Sequence, residues 1–331
     1  MTNSATAVAH ANIALAKYWG KRDEALALPA TSSLSLTLDA FHATTTVTLD
    51  PGATEDTGVL DGRAMSEAEV VRVRRFLDLV RSLAGSAVHA TVTSTSTVPT
   101  GAGLASSASG FAALAGAAAA AYGLDLDPRG LSRLARRGSG SAARSVFGGL
   151  VIWHAGTDDA SSFAEPVAGG EAGGPLDPAM AVVVLDAGLK SVSSRVAMRR
   201  TVETSPYFAA WTEATERDVT LMLEAVTAGD LPALGELAES NALRMHATML
   251  GARPPVRYWT AHTVAVLDQV LALRADGLPC WATIDAGPNV KVLCAGRDLP
   301  AVAEALSLEG TRRVVTARPG PDLRVTAGGA A

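Results

Sequence analysis

The chain has 331 residues, of which 48% are hydrophobic and 18% are charged, and its formal net charge at pH 7 is −5. This length exceeds that of one average domain and is sufficient for two domains, each with its own hydrophobic core. Because nucleic-acid-binding proteins are usually basic, the acidic balance argues against that class, and we predict no nucleic-acid partner.

The cysteines and the N-terminus predict the compartment. Cys280 and Cys294 form no C-x-x-C pair, so the expectation is two buried thiols in a reducing cytoplasm rather than a disulfide framework or a zinc site. Residues 1–7 lack the basic and apolar regions of a secretory signal, and the longest apolar run, 111–121, is too short to span a bilayer. We therefore predict a cytoplasmic protein without a membrane partner.

Strand patterns dominate the first half of the chain. Serine or threonine alternates with leucine over 32–38, which is the period of a half-buried strand. Ser66 and Glu69 have the spacing of a capping box and Gly85 is a typical helix stop, so a helix is predicted between them. The other predicted elements are strands at 6–18, 32–38, 44–49, 89–98 and 149–153, and helices at 111–121 and 127–138.

Helix patterns dominate the second half, after a stretch rich in glycine, alanine, aspartate and proline. This stretch, 156–178, is predicted to be a long surface connection, which gives domains of residues 1–180 and 181–331. Because strands and helices alternate without a strict βαβ repeat, the predicted fold class is α+β. The predicted elements that follow are a strand at 181–185, a polar and basic stretch at 191–200, helices at 207–228, 231–250 and 256–275, two strands within 281–294, a helix at 299–306, a strand at 312–317 and a frayed tail at 326–331.

A glycine-bearing loop at 98–111 leads into an alanine-rich helix. Glycine lets a backbone approach a ligand closely, and a helix N-terminus offers free N–H groups to an anion. The segment has neither the lysine of a P-loop nor the third glycine of a dinucleotide fingerprint. The loop alone therefore predicts either a phosphate site or simply close packing of a helix on a sheet.

Three further clusters combine cations with hydroxyl groups. Each suits an anion such as a phosphate or a carboxylate, and the alternative for each is a surface turn or a helix end. The clusters are Lys17, Tyr18 and Lys21; Ser139, Gly140, Ser141 and Arg144; and Lys190, Ser194 and Arg195.

Asp285 follows an apolar stretch and precedes a Gly-Pro turn. An aspartate in this position often only forms the turn through its side-chain oxygen. A carboxylate placed near lysine and arginine can instead stay ionised and act as a base. The six histidines are scattered and form no H-E-x-x-H motif, and no Ser/His/Asp triad follows from their spacing.

Taken together, these segments resemble one family. The segment 99–108, PTGAGLASSA, is similar to the nucleotide loop of the GHMP small-molecule kinases. Further segments, which follow in the expected order over nearly the whole chain, resemble the diphosphomevalonate decarboxylase family within that superfamily. They are 11–22 (ANIALAKYWGKR), 28–37 (LPATSSLSLT), 138–145 (GSGSAARS), 198–206 (MRRTVETSP) and 285–289 (DAGPN).

The resemblance implies a fold and a reaction. The fold would be a two-domain GHMP kinase-like fold with the active site in the cleft between the domains, assembled as a homodimer. The substrate would be mevalonate 5-diphosphate, with ATP and Mg²⁺ as cosubstrate. Its 3-hydroxyl would be phosphorylated, and loss of that phosphate would drive decarboxylation to isopentenyl diphosphate.

The resemblance also implies roles for individual residues. Asp285 would orient or deprotonate the attacking hydroxyl, Lys17 would keep Asp285 charged, and Arg144 would bind the substrate carboxylate. The implied substrate-binding residues are Asn12, Tyr18, Lys21, Ser139, Gly140, Ser141, Ser194 and Arg195. The implied residues around the ATP phosphates are Pro99, Gly101, Ala102, Gly103, Leu104, Ala105, Ser106 and Ser107, and no ligands for the metal are assigned.

The sequence departs from the family pattern at three positions. Ala143 stands where the family often has cysteine, Gly101 where alanine is frequent, and Ala105 where many relatives have glycine. None of these changes removes a charge. The alternatives are a decarboxylase of mevalonate 5-phosphate, a GHMP kinase that phosphorylates without decarboxylating, and a catalytically silent paralogue, whose mark would be a lost catalytic residue.

Overall fold

A computed structural model of the chain describes residues 4–97, 106–185 and 192–328. Within these ranges, the strands form two separate β-sheets and a short two-stranded ribbon, and helices accompany both sheets, which confirms the predicted α+β class. No helix in the described part of the chain is long and apolar enough to cross a membrane.

The first sheet contains most of the first half of the chain. Its described strands run in the order β14-β1-β4-β7-β5-β6, while β8 pairs with the first residues of β4 and β9 pairs with β8. The predicted strands at 32–38 and 44–49 are one continuous strand, β4. The strands are β1 (Ser4–Ala14), β4 (Ser33–Asp50), β5 (Thr57–Leu60), β6 (Arg63–Ala64), β7 (His89–Ser96), β8 (Leu150–Trp153), β9 (Ala164–Val167) and β14 (Arg324–Ala327), and the ribbon consists of β2 (Lys21–Asp23) and β3 (Leu28–Pro29).

Alanine packs the first sheet against its central helix, α2 (Ser106–Ala121). Ala5, Ala7 and Ala9 point into this contact from β1 and are at most 1% exposed. A Cβ on Gly116 of the helix would lie only 3.2 Å from the Cβ of Ala7, so the helix approaches the strand closely. The small residues that follow the glycine loop thus serve packing.

The helices around this sheet begin where their caps predict. The backbone N–H of Ser66 donates to Glu69 at 2.8 Å, and Gly85 ends that helix in the left-handed conformation. Asp127 accepts a hydrogen bond from the Gly130 N–H at 2.6 Å and caps the next helix. These helices are α1 (Glu67–Ala84) and α3 (Pro128–Gly138), and a 3-10 helix follows at Gly140–Val146.

The second sheet, with strand order β11-β12-β10-β13, carries the rest of the chain. The predicted helix at 256–275 begins only at Ala261, because Thr260 caps it by accepting from the Thr263 N–H at 3.3 Å. The strands are β10 (Pro178–Val184), β11 (Cys280–Ile284), β12 (Val290–Ala295) and β13 (Arg313–Ala317), and the helices are α4 (Ser194–Thr204), α5 (Phe208–Ala228), α6 (Leu231–Leu250), α7 (Ala261–Ala275) and α8 (Leu299–Ala305).

Two sequence predictions were wrong, and one helix was not predicted. The connection at 156–178 contains strand β9, which pairs with β8. The stretch at 191–200, described only as polar and basic, contains the start of α4, capped by Ser193. Residues 326 and 327 of the predicted frayed tail belong to β14, which returns to β1 in the first sheet. The side chains of β14 are all exposed, so its order comes from backbone pairing, which leaves no hydrophobic pattern in the sequence.

Candidate active site

A cavity of about 930 Å³ lies where the elements of the two sheets meet. It is bordered by the segment after β1, one face of α1, the first turns of α2 and α4, the 3-10 helix and the loop after β11. Among the described residues that line it, eight are lysine or arginine and two are carboxylates, although the chain as a whole is acidic. Such a concentration of positive charge suits a ligand with several negative charges. The cations are Lys17, Lys21, Arg72, Arg75, Arg136, Arg137, Arg144 and Arg195, and the carboxylates are Glu24 and Asp285.

Lys17 and Asp285 form a buried ion pair on the cavity wall. The two residues are 268 positions apart, and Lys17 Nζ lies 2.8 Å from Asp285 Oδ1. Lys17 Nζ also donates to the carbonyl oxygen of Ala14 at 2.8 Å. The backbone N–H of Lys17 donates to Asn241 Oδ1 at 2.8 Å. The end of β1 and helix α6 therefore fix both ends of this lysine.

A second lysine holds the other oxygen of the carboxylate. Lys291 Nζ lies 2.9 Å from Asp285 Oδ2, and the Lys291 side chain is 1% exposed. Burial opposes ionisation of Asp285, but the charges of Lys17 and Lys291 outweigh it and hold its pKa well below the ordinary range. Asp285 is therefore a carboxylate throughout the physiological range, and it is a weak base.

The pKa of Lys17 moves in the direction expected for a buried ammonium group. Burial lowers it to about 8, with Asp285 opposing the shift and the charges of Lys291 and Arg144 adding to it. Behind the pair, burial and the charge of Lys17 lower the pKa of His246 to about 3, so this imidazole is neutral. Lys17 and Asp285 thus form the wall itself, and Lys291 and the neutral His246 lie behind them.

Arg144, which lines the same cavity, is held by polar groups of the first sheet. Its Nε donates to Asn12 Oδ1 at 3.1 Å, and its Nη1 donates to the hydroxyl of Ser33. The guanidinium carbon lies 5.7 Å from the centre of the Trp153 ring. Asn12 in turn donates to the carbonyl oxygen of Ser141 at 3.0 Å. The guanidinium is therefore oriented before any ligand arrives, by Asn12 and Ser33 together.

Small residues leave room for the anion groups beside Arg144. A Cβ on Gly140 would lie 2.5 Å from the hydroxyl oxygen of Tyr18, so only glycine fits there. The Ser139 hydroxyl donates to that of Ser107 at 3.3 Å, which joins the 3-10 helix to the start of α2. Lys21 pairs with Glu24 at 2.6 Å at the rim of the same cavity.

The cavity brings together most of the residues that the sequence singled out. The predicted site residues that line it are Asn12, Lys17, Tyr18, Lys21, Ser106, Ser107, Ser139, Gly140, Ser141, Arg144, Ser194, Arg195 and Asp285. The predicted residues Pro99, Gly101, Ala102, Gly103, Leu104, Ala105 and Lys190 lie outside the described residues.

Sequence reasoning missed several groups at this site. Arg72 and Arg75 line the cavity from α1, where their spacing resembles that of an ordinary solvated helix face. Lys291 is the single charged residue within the apolar strand β12, and that exception was a usable signal. Asn241 and His246 sit in a long helix, where nothing in the sequence distinguishes them from packing residues.

Sequence comparison with known proteins shows which family the chain resembles. Residues 9–164 match the profile of the "Diphosphomevalonate decarboxylase-like N-terminal domain", and residues 180–312 match that of the "Mevalonate 5-diphosphate decarboxylase C-terminal domain". The human diphosphomevalonate decarboxylase is 37% identical over 310 residues, which cover 87% of this chain and 76% of the human protein.

Solved structures agree with the sequence comparison. A structure of the mevalonate diphosphate decarboxylase from Enterococcus faecalis has a TM-score of 0.93 at 46% identity, covering 99% of this chain and 100% of that one. A structure of the protein MDDEF in complex with MVAPP, AMPPCP and magnesium has a TM-score of 0.94 at 47% identity, with the same coverage.

Proposed function

The chain belongs to the diphosphomevalonate decarboxylase family, and we propose that it converts mevalonate 5-diphosphate and ATP into isopentenyl diphosphate, ADP, phosphate and carbon dioxide. The observation that carries this proposal is that Lys17, Asp285 and Arg144 line one cationic cavity. A buried carboxylate can meet a hydroxyl there, while a pre-oriented guanidinium meets a carboxylate.

The first chemical event is phosphorylation of the substrate's 3-hydroxyl. The hydroxyl oxygen attacks the γ-phosphorus of ATP, the bond from that phosphorus to the bridging oxygen breaks, and ADP leaves. Asp285 accepts the hydrogen bond of the hydroxyl and orients its lone pair. Because the low pKa of Asp285 makes it a weak base, the hydroxyl proton moves to the carboxylate only as the new bond to phosphorus forms. Lys17 offsets the charge on the phosphoryl group in transfer.

The second event is loss of the new phosphate together with carbon dioxide. The bond between C3 and the phosphate oxygen breaks, and the phosphate keeps that electron pair. The electrons of the bond between C1 and C2 become the double bond between C2 and C3, and C1 leaves as carbon dioxide. Arg144 holds the carboxylate so that the breaking C1–C2 bond is aligned with the departing phosphate.

The remaining cations and hydroxyls would hold the phosphates of both substrates. The 5-diphosphate would lie against residues that line the cationic cavity, namely Tyr18, Lys21, Ser139, Ser141, Ser194 and Arg195. The described residues contain no cluster of three or more His, Cys, Asp or Glu that could hold a metal. Mg²⁺ would therefore arrive on the phosphates of ATP, where Ser106 and Ser107 offer hydroxyl oxygens, and would neutralise charge there.

The test separates the three possible reactions. Purified protein is incubated with ATP, Mg²⁺ and substrate labelled with ¹⁴C at the carboxylate, supplied either as the 5-diphosphate or as the 5-phosphate. Labelled carbon dioxide from the 5-diphosphate alone is the expected result. Release from the 5-phosphate alone would reassign the substrate. ADP formation without carbon dioxide would identify a kinase that stops after phosphorylation.

We also propose that the protein is a cytoplasmic homodimer with domains of residues 1–180 and 181–331. The profile boundaries support that division, although β14 crosses back to the first sheet. The free thiols of Cys280 and Cys294 are consistent with a reducing compartment, and the dimer rests on the family resemblance alone. Light scattering of the purified protein at several concentrations measures the assembly state.

A further inference from the structure

Lys291 does not belong to the cavity wall, yet it is bound to the carboxylate that does. It is the second residue of β12 and pairs in register with Thr283 of β11, whose strand leads into Asp285. The hairpin of these two strands therefore brings the lysine back beneath the aspartate. Its side chain is 1% exposed and is absent from the cavity lining, so a ligand would meet Asp285 and not Lys291.

The contacts of Lys291 are directed at the carboxylate. Its Nζ lies 2.9 Å from Asp285 Oδ2 and 3.4 Å from the carbonyl oxygen of Asn289. A buried ammonium is costly unless it is paired, and apolar residues of similar volume usually stabilise a sheet at least as well as a buried ion pair does. The immediate neighbours on β12, Val290 and Val292, are apolar and buried, so the strand carries a charge only at the position that reaches Asp285.

Lys17 donates a hydrogen bond to Asp285 Oδ1, whereas the buried Oδ2 lies 2.9 Å from Lys291 Nζ as an ion-pair contact without hydrogen-bond geometry. Turning the carboxylate would separate an oxygen from its ammonium partner, so the two lysines together favour one plane of the group. Without Lys291, the group could turn about its Cβ–Cγ bond and share both oxygens with Lys17. A misplacement of about 1 Å at a reacting group can cost roughly 100-fold in rate.

We propose that Lys291 is a positioning residue, which fixes Asp285 from behind the cavity for the hydroxyl of the substrate. This inference rests on the proposed function, because it concerns the group that meets that hydroxyl. The alternative is a purely structural ion pair that joins Asp285 to its own hairpin. A structural pair would affect folding, whereas a positioning pair affects turnover in the folded enzyme.

The charges around Asp285 provide a readout that packing alone would not move. Lys17 faces it from the segment after β1, Lys291 from β12, Arg144 from the 3-10 helix and neutral His246 from α6. Lys291 is one of the charges that lower the pKa of Lys17 to about 8. Removing this charge raises the pKa of Lys17, so activity that requires protonated Lys17 persists to higher pH.

The experiment compares Lys291→Met, Lys291→Gln and Lys291→Arg with the wild type. For Lys291→Met and Lys291→Gln we expect kcat to fall roughly 10- to 100-fold, while KM for both substrates changes by less than about threefold. The alkaline limb of kcat moves to higher pH in both variants. Lys291→Arg keeps the charge, so it recovers part of kcat and leaves the limb in place. Val292→Ala removes buried volume from the same strand and serves as the control for a weakened sheet.

The outcomes are distinguishable. If the wild type releases no carbon dioxide, the proposed function fails and Lys291 is not the cause. If the wild type is active and the folded variants keep its kcat, the positioning role is overturned, whether or not the alkaline limb moves. Should the uncharged variants not fold, Lys291→Arg decides, because it keeps the charge but moves the donor atoms. A positioning role predicts a kcat below that of the wild type with the alkaline limb in place, and a wild-type kcat overturns it.

Discussion

Arg144 and Asp285 line the same cavity, but the molecule holds them in different ways. Arg144 is bound to Asn12, and both residues belong to the part of the chain that surrounds the first sheet. Asp285 takes Lys17 from that part and Lys291 from the second sheet. The carboxylate-binding group, Arg144 with Asn12, therefore lies entirely in the part of the chain around the first sheet. The ion pair of Asp285 with Lys17 forms only where the parts around the first and second sheets pack together.

Helix α6 explains how the second arrangement is kept in place. Asn241 accepts from the backbone N–H of Lys17 at 2.8 Å and donates to Asp218 Oδ2 at 2.7 Å. One turn further along, His246 interacts with the backbone beside Asp285. The same helix therefore fixes both partners of the ion pair. Damage near Arg144 should remain local, whereas damage near Asp285 should affect both chemistry and the junction between the sheets.

The largest effect is expected for Asp285→Asn. The amide keeps the shape but loses the charge, which leaves two buried ammonium groups without their counter-ion. Turnover should fall roughly 10²- to 10⁴-fold, with ATP binding little changed and with a lower thermal unfolding midpoint. Kinetics, nucleotide titration and thermal unfolding measure the three quantities.

The matched control is Asp268→Asn, which removes an exposed carboxylate from α7. It should behave as the wild type in all three measurements. Turnover of Asp285→Asn near the wild-type value would remove Asp285 from the mechanism and with it the distinction between the two sides of the cavity.

Elements fixed by neighbours in sequence could be predicted, and elements fixed by distant residues could not. Capping residues such as Ser66 and Asp127 act on neighbours three positions away, so the helix starts were predictable. Strand β14 is held by backbone pairing with a strand more than 300 residues away, and local patterns carry no trace of that.

The candidate site shows the same division. Asp285 and Lys17 were predicted to be neighbours only because the chain resembles a known family, since no spacing argument spans 268 residues. Lys291 was missed because a lysine in a strand is usually assigned to an exposed face. The apolar residues on both sides of it, Val290 and Val292, were the local sign that this lysine is buried.

Arg144→Lys tests the carboxylate-binding group that Arg144, Asn12 and Ser33 form around the first sheet. Lysine keeps the charge but has one compact donor group, so it cannot bond Asn12 and Ser33 together and still present a flat fork to a carboxylate. We expect kcat/KM for the 5-diphosphate substrate to fall about 100-fold, while the affinity for ATP and the thermal unfolding midpoint of the protein stay at the wild-type values. Arg257→Lys, outside the cavity lining, is the control. Equal loss of nucleotide affinity would mean that the two sides are not independent.

The alkaline limb of the pH profile tests the junction side. Burial lowers the pKa of Lys17 to about 8, so the protonated form is present below that pH and is lost as pH rises through it. At saturating substrate, kcat should fall about tenfold for each pH unit above 8. In Lys17→Arg the charge does not titrate in this range, so whatever its absolute rate, the limb should disappear. A limb that survives in Lys17→Arg belongs to another group.

The smallest effect is expected for Asn12→Ala, because Asn12 contacts Arg144 and acts on the substrate carboxylate only through it. Asn12 accepts from Arg144 Nε at 3.1 Å and donates to Ser145 Oγ at 2.8 Å, so alanine frees the guanidinium on one side only. Ser33 still binds the other nitrogen, and turnover should therefore fall less than about tenfold, equivalent to about 1.4 kcal/mol of barrier. The loss should appear in carbon dioxide release while the pH limb of Lys17 stays in place. A shift of that limb in Asn12→Ala would show that the contacts of Arg144 also affect Lys17 and Asp285. The carboxylate-binding group would then not be independent of the ion pair.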